Sequence, residues 1–194
     1  MIAKKNRSNL ILIAACMPFM LACLYIERTF QVPEPKMEGN ADTVIETLNG
    51  TDWVRLQSLA SETYTEEDYA KPGTLKFTAN VTNEKPVYFS YGWCATTEDI
   101  LRQNFEHIGV KIFLNDAELG SDAVHTFVYS LTNGQFCGDV GILTYDWPAG
   151  EYQLKAVATF DAKINDGMSD YNPGDYVYEY NVTVGEPVGV PANP

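Results

Sequence analysis

The hydrophobic pattern splits the chain into one long apolar run followed by a series of short alternating segments. Residues 10–26 are uncharged and largely apolar. From residue 53 onward the dominant period is two, the spacing of strands whose faces meet different surroundings. In 53–60, Val54, Leu56 and Ser58 alternate with Trp53, Arg55 and Gln57. In 73–82, Leu75, Phe77 and Ala79 oppose Lys76, Thr78 and Asn80. Residues 86–94 are dense enough in aromatic and apolar side chains to be buried on both faces. Further strands are expected at 111–114, from 118, and at 124–131, 136–145, 151–161 and 176–184. Asn115-Asp116 and Asn133-Gly134 are two-residue hairpin signals, since these residues accept the positive φ such turns need.

One helix interrupts the strands. Thr96-Thr97-Glu98-Asp99 is a Thr-x-x-acid cap with negative charge in its first turn, and Leu101, Phe105 and Ile108 follow at i, i+4 and i+7 before Gly109. Residues 42–48 fit a short strand or a helical turn. The pattern as a whole predicts an all-β fold, an antiparallel sandwich or barrel with one short inserted helix.

The chain ends read differently. Lys4, Lys5 and Arg7 precede the apolar run, and no acid occurs before Glu27. A basic start followed by an apolar core is the form of an export leader. Met20-Leu21-Ala22-Cys23 resembles the lipobox of bacterial lipoproteins, which implies cleavage before Cys23 and lipidation of that cysteine. Ile13-Ala14-Ala15-Cys16 fits the same local pattern but leaves too short an apolar core. An uncleaved anchor helix over 10–26, interrupted by Pro18, and a cleaved soluble product are the other readings. The positive start would keep the N-terminus inside and the domain outside, so all three predict an exported, extracytoplasmic domain. Residues 1–26 are thus a signal peptide or membrane anchor. Residues 27–50, with Pro33, Pro35 and Gly39, read as an extended spacer, 51–185 as the β domain, and 186–194 as a flexible tail.

Charge narrows the partners. The formal net charge is −13. A surface that acidic is repelled by phosphate backbones, which argues against nucleic acid. Two cysteines fall in the domain, Cys94 and Cys137. An even pair in an exported domain predicts a disulfide, with two buried thiols as the alternative.

Asp146-Trp147-Pro148-Ala149-Gly150-Glu151-Tyr152 resembles the tyrosine corner of immunoglobulin-like domains. The resemblance implies an immunoglobulin-like sandwich of a divergent bacterial kind. In it Tyr152 would bond back to the turn, with 151–161 and 176–184 as its last two strands. Leu154 stands where antibody domains carry their second cysteine. Tyr171-Asn172-Pro173-Gly174-Asp175-Tyr176 echoes the same aromatic-Pro-Gly-acid-Tyr order before the last strand.

No nucleophile elbow, zinc-protease helix, phosphate loop or dinucleotide fingerprint occurs. His107 and His125 are expected to be structural, and an enzyme of unrecognised type is the distant alternative. Two segments offer binding chemistry. Asp161, Asp166, Asp170 and Asp175, with Asn165 and Asn172, make an oxygen-rich stretch that could take calcium. Its spacing does not fit an EF-hand, and its Asn-Asp-Gly and Asn-Pro-Gly also serve as plain turns. Tyr176, Tyr178 and Tyr180 sit at alternate positions. If exposed, the row could stack on a glycan or protein partner; otherwise it packs the sheet. The function expected is a membrane-anchored, non-catalytic β-sandwich that mediates binding or assembly at the cell surface. A glycan- or calcium-binding surface module is the alternative.

Overall fold

The computed structural model describes residues 34–185. The expected leader, the expected lipidation at Cys23, the first residues of the expected spacer and the expected tail lie outside that range.

The described chain is mostly β-strand, in two five-stranded sheets and a small hairpin. In the first sheet, β8 (Phe136–Tyr145) pairs along its length with β4 (Val87–Ala95). β2 (Val54–Arg55) adds to the start of β4. The other edge of β8 carries β7 (His125–Ser130), with β1 (Lys36–Met37) near its end. The second sheet runs β3 (Gly73–Val81), β12 (Gly174–Val184), β9 (Gly150–Phe160), β5 (Ile108–Leu114) and β6 (Ala117–Glu118). β10 (Ile164–Asn165) and β11 (Asp170–Tyr171) form the separate hairpin. One core joins the sheets. Phe89 of β4 meets Tyr180 of β12 edge-on at 5.4 Å, and Trp93 meets Phe160 of β9 at 5.3 Å.

The sheets are mixed, which corrects the expected antiparallel arrangement. β3 runs parallel to β12 and β2 parallel to β4. Tight turns force antiparallel pairing only on strands adjacent in sequence; β3 and β12 are separated by most of the domain, so no turn constrains them. Where a turn does act, the signals hold: Asn115 and Asp116 take φ of 48° and 64° between β5 and β6.

Three local expectations are revised. The strand at 53–60 stops after Arg55 and becomes a 3-10 turn at Leu56–Leu59. There Ser58 Oγ donates to the Arg55 carbonyl, and the Gln57 amide donates to the Ser90 carbonyl instead of extending the ladder. The inserted helix α3 (Glu98–Phe105) is capped by Thr97, whose hydroxyl accepts from the Ile100 N–H, and it ends before Ile108. Ile108 is the first residue of β5, paired with Phe160, where strand pairing and burial outweigh its place on the helical stripe. Part of the expected spacer is folded onto the domain. Helix α1 (Ala41–Asn49), capped by Asn40, seats Val44 against Tyr88 and Leu143. A further short helix, α2 (Glu66–Tyr69), is held by a reciprocal Thr65–Asp68 capping box.

Candidate functional site

Alternation along β4 and β8 sorts their side chains. Phe89, Tyr91, Trp93 and Ile142 enter the core between the sheets. Tyr88, Ser90 and Cys94, with Cys137, Asp139 and Leu143 beside them, face the opposite side of the first sheet. Helix α1, with Trp53 and Phe127, covers the lower half of that outer face over Tyr88 and Leu143. Above it the face is partly open.

At its centre Asp139 is 3% exposed. Its carboxylate accepts from Arg55 Nη2 at 3.1 Å, Tyr129 Oη at 3.2 Å and Ser90 Oγ at 3.3 Å. Three donors, one of them a guanidinium, compensate the cost of burying the charge. The Arg55 guanidinium also lies over the Tyr88 ring, 5.6 Å from its centroid. Burial first, and then the Asp139 charge, raise the Tyr129 phenol above its ordinary value, so it stays protonated and donates. Gly92, directly opposite Asp139 in the ladder, leaves room for the carboxylate; a Cβ there would stand 2.5 Å from Oδ1. The disulfide Cys94–Cys137 closes the top of the same face between directly opposed residues, with Cα atoms 4.0 Å apart.

Two hollows flank Arg55 and Asp139. One, about 550 Å³, lies between α1 and β7, lined by Leu48, Trp53, Tyr88, Phe127 and Tyr129. Ile45 and Val128 on its rim are 43% and 62% exposed, so its walls are apolar and reachable. The other, about 380 Å³, follows the edge of β4 past the end of β2, between Tyr91, Tyr178 and Tyr69. It continues into a space of about 270 Å³ beside Trp93 and Tyr171. Burial, followed by the Asp166 charge, pushes the Tyr171 phenol up to about 12, and burial does the same for Tyr178.

The carboxylates of 161–175 go to separate partners. Asp161 meets His107 Nδ1 at 2.8 Å, and Asp175 accepts from Thr159 Oγ1 at 2.6 Å. Asp166 is buried and accepts from the Met168 and Ser169 N–H groups and from the Tyr171 hydroxyl. Asp170 accepts from Lys163 Nζ and Asn165 Nδ2, each at 2.7 Å, and these bonds hold its carboxyl below the ordinary range. Among the described residues no group of three or more acidic, His or Cys side chains is arranged to hold a metal ion. The oxygen-rich stretch is a hairpin stapled internally by Asp166 and Asp170, with Asp161 and Asp175 tied to His107 and Thr159 outside it.

Nor do Tyr176, Tyr178 and Tyr180 form an exposed row. Tyr176 and Tyr180 are buried, stacked on Phe160 at 4.3 Å and Phe77 at 4.5 Å, and Tyr178 is half-buried against Tyr69 and Tyr91. Alternation puts the three on one face, and that face is the core. His125 Nε2 bonds the Glu38 carbonyl at 2.9 Å.

Arg55, Asp139, Tyr129 and Gly92 did not stand out in the sequence. One signal was present: Asp139 is the one charged residue in a strand otherwise free of charge, 136–145. Its partner Arg55 lies 84 positions away, beyond the reach of local pattern.

No protein-family model matches the chain, and a comparison with curated proteins finds no match. Among solved structures the chain is similar to a cysteine protease inhibitor from Entamoeba histolytica, at 10% identity and a TM-score of 0.28. That likeness covers 70% of this chain and 100% of the other.

Proposed function

We propose that this chain is an exported, membrane-anchored, non-catalytic binding module, an immunoglobulin-like sandwich that docks a protein partner on the outer face of its first sheet. The observation that carries the docking face is the apolar groove between α1 and β7, walled by Ile45, Leu48, Trp53 and Phe127 over the neutralised Arg55–Asp139 pair. Rim side chains that are apolar and exposed, around a compensated buried charge, suit a protein partner better than chemistry on a small substrate. The histidines favour the same reading, since His107 is engaged by Asp161 and His125 by a backbone carbonyl.

The immunoglobulin-like assignment draws support from strand order. β4-β8-β7 follows the B-E-D order of that fold, and β5-β9-β12 follows C-F-G, all antiparallel. Tyr152 Oη donates to the Pro148 carbonyl at 2.8 Å, the bond a tyrosine corner makes. Tyr176 Oη repeats it to the Asn172 carbonyl at 3.0 Å. Export and attachment rest on the basic-apolar leader and the lipobox-like Met20-Leu21-Ala22-Cys23, and the Cys94–Cys137 disulfide favours an oxidising compartment.

The test uses the full chain carrying Ile45→Cys, treated on intact cells with a membrane-impermeant maleimide photo-crosslinker. Labelling without lysis and capture of one partner of defined mass are expected. Thr74→Cys on β3 should label equally and capture nothing. A protein that labels only after lysis defeats the surface location; equal capture from both positions defeats the docking face.

A further inference from the structure

The edges of the two sheets are protected unequally. An open strand edge presents unpaired N–H and C=O groups, and proteins usually blunt it with charge, brevity or a bulge. β3 carries Lys76, and β6 is two residues long and contains Glu118. The open edge of β4 is partly occupied, since Ser90 C=O accepts from Gln57 and Thr96 N–H donates to the Asp166 carbonyl. β7 has none of these devices. It pairs with β8 without a bulge from His125 to Ser130, and no strand lies on its other side among the described residues. Residues 123–138 contain no Asp, Glu, Lys or Arg, in a chain whose net charge is −13. Val128, Tyr129 and Leu131 are three of the six exposed large apolar residues among those described.

The register tells which backbone groups are free. Cys94 and Cys137 oppose each other at a Cα separation of 4.0 Å, the narrow spacing of a pair that does not exchange backbone bonds. The Cys137 backbone therefore turns towards β7 and bonds Tyr129, its partner there. By the period of two, Phe127 also bonds β8, and Thr126, Val128 and Ser130 present their N–H and C=O groups to the open edge.

We propose that this edge is a self-association site, where β7 pairs antiparallel with β7 of a second copy about a two-fold axis through Val128. That pairing sets Val128 against itself, Thr126 against Ser130, and Phe127 against the second copy's Tyr129. Apolar thus meets apolar, hydroxyl meets hydroxyl and ring meets ring, while six backbone groups on each copy are satisfied. The near-palindrome Thr126-Phe127-Val128-Tyr129-Ser130 selects a second copy as the occupant. Two copies with a net charge of −13 each repel across most of their surfaces, and β7 is an uncharged edge along which they can approach. The edge shares Phe127, Val128 and Tyr129 with the docking groove, whose α1 wall stays accessible, and the test below reads self-association rather than capture of another protein.

The full chain with Val128→Cys, in its native membrane under mild oxidation, tests the geometry. A bonded antiparallel pair holds its Cα atoms about 5.5 Å apart, within disulfide reach. A dimer that reverts with reductant is expected, and Thr74→Cys should remain monomeric. A monomer, an adduct with a different protein, or equal dimerisation of both variants overturns the proposal. Sedimentation of the full chain in detergent gives an independent readout. Val128→Lys and Val128→Glu should each weaken self-association about tenfold, and a one-to-one mixture should recover it. Val128 is mostly exposed, so neither change burdens the core. Association that persists in Val128→Lys, as leader-driven contact would, also overturns it.

Discussion

Gly92 lies opposite Asp139 in the β4–β8 ladder, and a Cβ there would stand 2.5 Å from Asp139 Oδ1. The carboxylate cannot simply swing aside, because it is buried and held by Arg55, Tyr129 and Ser90. Gly92→Ala is therefore expected to destabilise the domain by about 1–3 kcal/mol, as overpacking of a closed site does. Paired with Asp139→Ala, the loss should be smaller than the sum of the single losses, because the second change removes the clashing atom. Thermal unfolding of the four proteins followed by circular dichroism measures this. Additive losses would mean that Gly92 matters for some reason other than the carboxylate.

Strands β9 and β12 are built alike. Each begins at a glycine of positive φ, Gly150 at 157° and Gly174 at 139°, and each is tied to the turn before it by a tyrosine hydroxyl. Tyr152→Phe and Tyr176→Phe should each cost about 1 kcal/mol, the net worth of one such bond. The two bonds serve separate turns, so their losses should add in the double variant. Denaturant midpoints of the single and double variants test that sum. This repeated lead-in was legible in the sequence, as were β4, β8 and the Asn115-Asp116 hairpin, because each signal lies within a few neighbouring residues. The end of β2 at Arg55 was not legible. It depends on Gln57 reaching Ser90, a contact between segments far apart in the chain.

For the molecule as a whole, Cys94–Cys137 closes a loop with a sequence separation of 43 across two adjacent strands. Replacing both cysteines with alanine is expected to lower stability by about 4 kcal/mol on the chain-entropy account, readable as a lower urea midpoint. An unchanged midpoint would show that the β4–β8 ladder alone restrains that loop. The sequence by itself determined the spans of β3, β4, β8, β9 and β12 to within about two residues, the hairpin turns and the two tyrosines that lead into β9 and β12, all products of local stereochemistry. It also determined that Tyr176, Tyr178 and Tyr180 share a face, since a period of two makes alternate residues neighbours. Only the tertiary structure decided that this face is the core, that the four aspartates of one segment share no partner, and that Arg55 meets Asp139. Periodicity tells that the two faces of a strand differ; which of them another sheet covers depends on contacts between distant parts of the chain.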